Sequence, residues 1–575
     1  MDKNPFPKKT EEQKENVVDN DTTNTPATEA DTTSKKAPAK ANDDISKAEA
    51  MIKVALKNGD YFRDNLNRPF ATVDINGKKR TIKVNTNDFR AYLRRLDSQV
   101  NNHIANKATI ETAIDHLVSF CLYDGEIKPV SFRIAGLEND IYVDIGDQSY
   151  QAIKVSSDGW TMVSDPPVKF VRSQSQGELP IPVKGGSVFA LRPFLPLMHD
   201  EDFIMTVSWL VSSFSPRGPY AILVLDGPQG SGKSSMVRVI RSLLDPSKAS
   251  NRMIPASSRD LAINAVNAWV LDFDNMSGCP KWLSDILCSI ATEGTFATRM
   301  LYSDDSEMLF PIMRPIMLSG INDLKPESDM AQRAIAIHCP FMKPADRLPE
   351  EVFWQEFNQL KPALFGAVLD AVAAALKNKN SIENIEYPRM ADFCRFSVAA
   401  TAGLPWKAED FLAAYSGNIN NIGNSQLEGD PVAAVIAAMM CEHQKLVLSA
   451  TEVFTFMEGQ NWVSEKVRKS EAWPKTVNTL RDRLTRVSTF LAAKGIEVNL
   501  AYRDPNGVRK CLFINRNLSQ GKAPQIPQGP IKLVTTEMRN KIVSQLQQSK
   551  LTLSQTESSD STEDSEVDYE SAFHR

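Results

Sequence analysis

A chain of 575 residues is too long for a single hydrophobic core and implies about two to four domains. With 42% hydrophobic and 24% charged residues it has the composition of an ordinary globular protein, and no run approaches the roughly 18 uninterrupted apolar residues of a membrane span. The formal charge of -5 is unevenly spread, because Glu557 to Arg575 holds seven acidic residues and one arginine, so the rest of the chain is nearly neutral.

Seven scattered cysteines without a C-x-x-C pair fit neither a zinc site nor a disulfide framework, and the N-terminus has no apolar core of a secretory signal. The expectation is a cytoplasmic protein with no membrane partner. Residues 1–46 are rich in Lys, Glu, Asp, Thr, Pro and Ala, too polar to offset the entropy of ordering, and read as a disordered tether.

Residues 47–180 read as an N-terminal α+β domain. FATVDINGKKRTIKV (70–84) is two alternating runs about Asn76-Gly77, a strong hairpin signal. Helical spacing follows over 86–121, then short strand-like runs up to WTMVS. Asp140, Asp144 and Asp147 suggest a metal site or, sitting among turns, a solvated edge. Pro180, Pro182 and Gly185-Gly186 mark a linker into a helical stretch at 199–214.

The run AILVLDG (221–227) is nearly continuous in apolar residues and ends in glycine, the pattern of a buried central strand. It leads into G-P-Q-G-S-G-K-S, comprising Gly227, Pro228, Gln229, Gly230, Ser231, Gly232, Lys233 and Ser234, with Ser235 next. This matches the phosphate-binding loop G-x-x-x-x-G-K-[ST]. Glycines let backbone N–H groups turn inward onto phosphate oxygens, and the following helix adds its N-terminal dipole. Lys233 is expected to reach the β- and γ-phosphates of ATP, and the Ser234 hydroxyl to ligate Mg2+.

A second apolar strand, AWVLDFDN (268–275), ends in two aspartates. Either Asp272 or Asp274 suits a magnesium-holding carboxylate at the carboxyl edge of a parallel sheet, and Asp274, nearer the exposed end, is the better placed. No Glu follows Asp274; Glu293 and Asp272 are stand-ins for the residue that polarises water. TFATRMLYSDDSEMLF (295–310) reads as a hairpin on which Arg299 faces nucleic acid or pairs with the acidic turn. A third strand, PIMLSG (315–320), runs into Asn322, where an amide can sense the γ-phosphate, and Arg333 lies eleven residues beyond. An arginine there either completes a neighbouring subunit's site or stays on the surface.

In their order, GPQGSGKS, VLDFDN, EGTFATRMLYSDDSE and SGINDLKPESDMAQRAIAIHCPF resemble the superfamily 3 helicases, the AAA+-like motors of viral, phage and plasmid replication. Over roughly 60–515 the chain also looks like the ATP-binding, helicase-like proteins of phages and integrative elements. The resemblance implies an α/β fold: an AAA+-like P-loop ATPase core at 190–345, an N-terminal α+β domain and a C-terminal winged-helix domain. It also implies Asn322 as sensor, Arg333 as arginine finger, a hexameric ring, and a primase or other replication protein as partner.

Residues 346–425 read as a helical extension ending in a polar linker, SGNINNIGNSQLEGD. Residues 430–516 read as helix, helix, helix, hairpin, the outline of a winged helix. Lys475, Arg481, Arg483 and Arg486 on its third helix, with Arg503, Arg509 and Lys510 on its hairpin, suit phosphate contacts to DNA or a protein partner. The tail at 517–575 ends in acid that solubilises the chain or imitates nucleic acid. The expected activity is an ATP-dependent DNA helicase or translocase in the replication of a phage or mobile element. An oligomeric ATPase switch in signalling or anti-phage defence, and an origin-binding initiator, are the alternatives.

Overall fold

The computed structural model describes residues 37–516 apart from 101–103, 249–253, 256, 293–295, 300–306, 311, 321–327, 383–384, 442, 460–462, 464 and 471–472. Order begins earlier than composition implies, because the first helix, α1, spans Ala37–Lys57. Its C-terminal half buries Ala48, Met51 and Ala55, and that apolar contact outweighs the polar character of its first turns.

Strands β1 (Gly59–Arg63), β2 (Pro69–Asp74) and β3 (Lys79–Lys83) follow, then helices α2 (Asn87–Val100) and α3 (Lys107–Tyr123) and strand β4 (Glu126–Ile127). The β2–β3 hairpin pairs Asp74 with Lys79, and its Asn76 and Gly77 both hold positive φ, as a tight hairpin turn requires. Met51, Phe89, Leu93, Ile114 and Leu117 form a core private to this unit.

The expected domain border near 180 is overturned. Short strands β5 (Val130–Ser131) and β10 (Lys169–Phe170) flank an antiparallel meander of β6 (Ile134–Leu137), β7 (Asp140–Asp144), β8 (Ala152–Ser156) and β9 (Gly159–Val163). Val143, Ile153 and Trp160 of that meander share one hydrophobic core with residues as distant as Phe365 and Phe411. The border therefore falls near 128. The expected linker at 180–190 is also packed structure: Val183 N donates to Pro362 O at 3.0 Å. A Cβ at Gly186 would stand 2.0 Å from Ala363 O, so only glycine permits this approach.

Helix α4 (Asp200–Ser212) precedes the central sheet: β11 (Ile222–Asp226), α5 (Lys233–Leu244), α6 (Ser258–Val266), β12 (Leu271–Met276) and α7 (Lys281–Thr292). Next come the hairpin β13 (Phe296–Arg299) and β14 (Glu307–Phe310), then β15 (Ile316–Gly320), α8 (Ser328–Ala331) and β16 (Ala334–His338). The sheet order is β12-β15-β11-β16, with every pair parallel. Leu223 and Leu225 of β11 face one core while Ile222 and Val224 face another. Both faces are covered, which is why the strand reads as an unbroken apolar run.

Helices α9 (Glu350–Asn378), α10 (Ala391–Ala400) and α11 (Ala408–Gly429) form the extension. Helix α9 is long and apolar enough to cross a bilayer, but 56% of its apolar window is buried within the fold. The expected polar linker is the second half of α11. Its Asn418 joins the helix to the sheet: Nδ2 donates to Ala336 O at 2.6 Å and Oδ1 accepts from Ala336 N at 3.1 Å, so one amide satisfies the open edge of β16.

The C-terminal unit runs α12 (Pro431–Cys441), β17 (Lys445–Leu448), α13 (Ala450–Glu458), α14 (Glu465–Lys469), α15 (Val477–Ala493), β18 (Ile496–Asn499) and β19 (Cys511–Asn515). Its antiparallel sheet has the order β17-β19-β18. Strand β17 adds to the expected elements; it is four residues of KLVL just before the Ser449 capping box of α13.

Candidate functional site

Strand β11 ends at Asp226, and the chain turns at once through Gly227 (φ +139°), Gly230 (φ +78°) and Gly232 (φ +82°) into α5. Gly227 is irreplaceable on steric grounds, since a Cβ there would lie 2.2 Å from the Cys339 carbonyl at the end of β16. No side-chain oxygen caps α5 at Gly232, so its first-turn N–H groups face the loop. Gln229, Gly230 and Ser234 are exposed, Pro228 and Ser235 half-buried, and Ser231 buried.

Lys233 is buried, and its Nζ donates to Gly227 O at 2.8 Å, Pro228 O at 2.9 Å and Ser231 Oγ at 3.0 Å. A cation held by neutral acceptors alone, inside a ring of backbone that opens on a helix N-terminus, is chemically suited to an anion.

The two aspartates of β12 part company. Asp272 is sealed from solvent in an ion pair with Arg241 of α5, which removes it from the candidate catalytic and water-polarising groups. Asp274 lies at the strand's carboxyl end, half-buried, and accepts from Ser319 Oγ of β15. The β12–β15 register shifts between Phe273 and Met276, with Asn275 at φ +58°, and such an irregularity re-aims the side chain beside it. One strand, β15, separates Asp274's strand from that of the glycine loop.

Arg333 follows α8. It pairs with Asp329, whose carboxylate also accepts from Arg389 at 3.0 Å, so within one chain Arg333 is an engaged cation rather than a free one. Burial alone would raise the Asp329 carboxyl, but Arg333 and Arg389 outweigh it and hold it below its usual range. The β13–β14 hairpin forms with Arg299 opposite Glu307. The side chain of Arg299, and all of Glu293 and Asn322, lie outside the described residues.

Several residues around the loop carry no local sequence signal. A methyl at Gly232 would sit 3.3 Å from both Met342 Cε and Pro196 Cγ, and one at Gly230 would sit 3.0 Å from Arg347 Nη2. His338 Nδ1 and Asp226 Oδ1 are 2.8 Å apart at the ends of β16 and β11. Asp202, in the first turn of α4, has its carboxyl pushed up to about 6 by burial, against the opposing pull of His199. Of these, His338 and Asp226 lie at strand ends, where the pattern of parallel strands could have flagged them.

On the C-terminal unit the basic residues divide. Arg483 Nε reaches Asp430 Oδ2 at 2.9 Å and ties α15 to the start of α12, so it is structural rather than a phosphate contact. Lys510 lies 3.9 Å from Glu452. Arg481 is half-buried, with an Nε that is buried and unbonded. Lys475, Arg486, Arg503 and Arg509 are exposed; Lys475 donates to Arg468 O and Arg509 to Leu500 O. Elsewhere, Asp144 pairs with Arg172 and Asp140 with Lys154, and among the described residues no cluster of three His, Cys, Asp or Glu is placed to hold a metal.

Residues 196–423 match the model of the actinomycete integrative conjugative element replication protein, and residues 432–523 match that of its RepA C-terminal domain. No curated protein sequence matches the chain. Among solved structures, the A-form apo NrS-1 C-terminal region aligns at 11% identity and a TM-score of 0.37, covering 81% of this chain and 98% of that one. A second apo structure of that region, residues 305–718, aligns at 11% identity and the same score, 0.37, over 82% and 99%. Matched in order by the two models, residues 196–423 and 432–523 resemble the replication protein of a mobile genetic element and its C-terminal domain.

Proposed function

We propose that the chain is an ATP-hydrolysing motor that works on DNA during replication of its element. The observation that carries this reading is Lys233, buried yet bonded only to neutral oxygens of a three-glycine loop at the end of a central parallel strand. In an open parallel sheet, ligands bind at the carboxyl ends of the strands. The loop N–H groups and Lys233 would hold the phosphates.

Ser234 and Asp274 have the hard oxygen donors that Mg2+ prefers, and that ion would neutralise phosphate charge. Asp272 has a different duty, pairing with Arg241 of the loop helix and tying that helix to β12. The helix–strand–helix–helix–helix–hairpin order of 431–515 supports reading the C-terminal unit as a winged helix. Exposed Lys475, Arg486 and Arg509 would then be its DNA contacts. A ring assembly, hexameric by the helicase resemblance, would bring Arg333 to a neighbour's phosphates once it leaves Asp329.

The deciding experiment is the ATPase rate with and without single-stranded DNA, with Lys233→Ala as blank. Stimulation by DNA supports a translocating motor. A DNA-indifferent rate would favour an ATPase switch, and a rate that survives Lys233→Ala would overturn the nucleotide site itself.

A further inference from the structure

A cleft of about 1110 Å³ lies between the N-terminal unit and the β6–β9 meander, lined by the β2–β3 hairpin, α2, the 146–150 turn and residues 170–178. It is larger than the usual small-molecule pocket. Lys248, just past the C-terminal end of α5, closes one side.

The charge of the cleft is lopsided. Lys78, Arg80, Lys83, Arg95 and Lys248 line it, and among the described residues none of them pairs with a carboxylate. Asp88 and Glu178 are the opposing acids at its border, while Asp147 accepts from Ser149 and lies 3.9 Å from Arg172. Burial lowers the Lys83 ammonium and Arg68 lowers it further, against the opposing pull of Asp64.

The floor is aromatic. Tyr150 carries the Arg172 guanidinium 3.8 Å and that of Arg80 4.4 Å from its ring centroid, and Tyr92 and Phe170 line the same wall. Tyr150 also holds φ +58°, a conformation a bulky residue adopts only when its surroundings impose it, and strain of this kind gathers at functional sites. Arg172 is fixed from behind by Asp144, so the ring is braced.

We infer that this cleft binds single-stranded nucleic acid, with Lys78, Arg80, Arg95 and Lys248 as phosphate contacts and Tyr150 stacking a base on the ring face that Arg80 leaves as it turns to a phosphate. A cationic groove with aromatic side chains is the general solution for a strand whose bases are exposed, whereas a duplex offers base edges only in its grooves. The site lies at the far end of α5 from the glycine loop and is separate from the C-terminal unit, so it stands independently of the function proposed above.

The test is fluorescence anisotropy of labelled oligo-dT, oligo-rU and a duplex with the full chain. The variants are the pair Lys78→Glu with Arg95→Glu, and Tyr150→Asn, chosen because Asn tolerates the left-handed backbone. Melting temperature and elution volume report the fold of each. The charge-reversed pair is expected to bind single strands about tenfold more weakly and to flatten the salt dependence by roughly 1.4, two phosphates at ~0.7 each. Bromouridine oligomers are expected to cross-link to the peptide that holds Tyr150. The proposal is overturned if both variants bind single strands as tightly as the parent, if they lose only duplex binding, or if cross-links fall only within 477–515. Equal losses on oligo-dT and oligo-rU support it and assign the recognition to the backbone; a loss on one alone supports it and names the sugar.

Discussion

Arg133 Nε donates to Asp245 Oδ1 at 3.0 Å, with both side chains all but closed to water. The remaining guanidinium hydrogens serve Asp144 O, Ile145 O, Gly177 O and Pro246 O, and Asp245 Oδ2 accepts from the Trp269 and Val270 amides. One ion pair thus fastens the β6–β9 meander to the end of α5 and the entrance to β12. Removing one member of a buried pair strands the other, at a cost of about 3–5 kcal/mol. Arg133→Met is expected to lower stability by that amount in urea denaturation. Asp245→Asn keeps an acceptor for the two amides but strands the buried Arg133 guanidinium and should cost a similar amount; an unchanged urea midpoint for Arg133→Met would show the pair to be dispensable.

The glycines of the loop are not equivalent. Gly227→Ala would drive a Cβ to 2.2 Å from the Cys339 carbonyl, a backbone atom fixed in the sheet, whereas Gly230→Ala would meet only the flexible end of Arg347. Gly230→Ala carries chiefly the left-handed penalty of roughly 1–2 kcal/mol. Binding of a fluorescent ATP analogue should be lost in the first variant and weakened in the second. Equal behaviour would mean that the contact between loop and β16 does not shape the site.

Asp272→Asn and Asp274→Asn separate a fold residue from a site residue two positions apart. The first leaves the buried Arg241 guanidinium without its counter-charge and should lower stability by about 3–5 kcal/mol. The second removes a carboxylate at an accessible strand end and is expected to leave the melting temperature nearly unchanged. It should abolish Mg2+-dependent turnover or shift its Mg2+ requirement upward. The reverse pattern would exchange the two roles.

These two aspartates also show how far the sequence was legible. Alternation along β11 and β12, the glycine spacing and the Asn76-Gly77 turn are local patterns, and the elements formed where those patterns placed them. What sequence could not show is partnership across distance. Nothing near Asp272 announces Arg241, 31 residues away, and nothing near Asn418 announces the open edge at Ala336. The 416–430 stretch reads as a linker because Asn and Gly are poor helix formers, yet one of those Asn side chains caps a strand. The border at 180 was misplaced for a similar reason, since the meander's core partners lie 200 residues downstream.

Asp202 gives a pH signature. Its carboxyl is raised from 3.8 to about 6, chiefly by burial, so the folded chain holds that proton more tightly than the unfolded one. A carboxyl raised in the fold costs stability once ionised. The cost is absent below about pH 4, grows between pH 4 and 6, and is complete above, at on the order of 3 kcal/mol. Asp202→Asn is therefore expected to stabilise the chain at pH 7.5 and to change little at pH 4, as read from melting curves at each pH. A stabilisation independent of pH would rule out titration of Asp202 as its cause.

Arg333 poses a problem of address, because its guanidinium is held by Asp329 of the same chain, and Asp329 keeps a second cation in Arg389. Losing Arg333 therefore leaves no orphaned acid, and Arg333→Ala should fold and bind nucleotide like the parent. If the arginine serves a neighbouring subunit, that variant loses hydrolysis alone, by a factor of about 10³ or more. Mixing decides the address. On the proposed reading a Lys233→Ala chain fails to hold the phosphates but still carries Arg333, and an Arg333→Ala chain has the opposite defect. Combined, two inactive chains should regain turnover at sites where the intact loop of one meets the intact arginine of the other. An Arg333→Ala chain that hydrolyses ATP at the parental rate would assign the residue to its Asp329 contact alone. Loss without rescue in the mixture would place its action within its own chain.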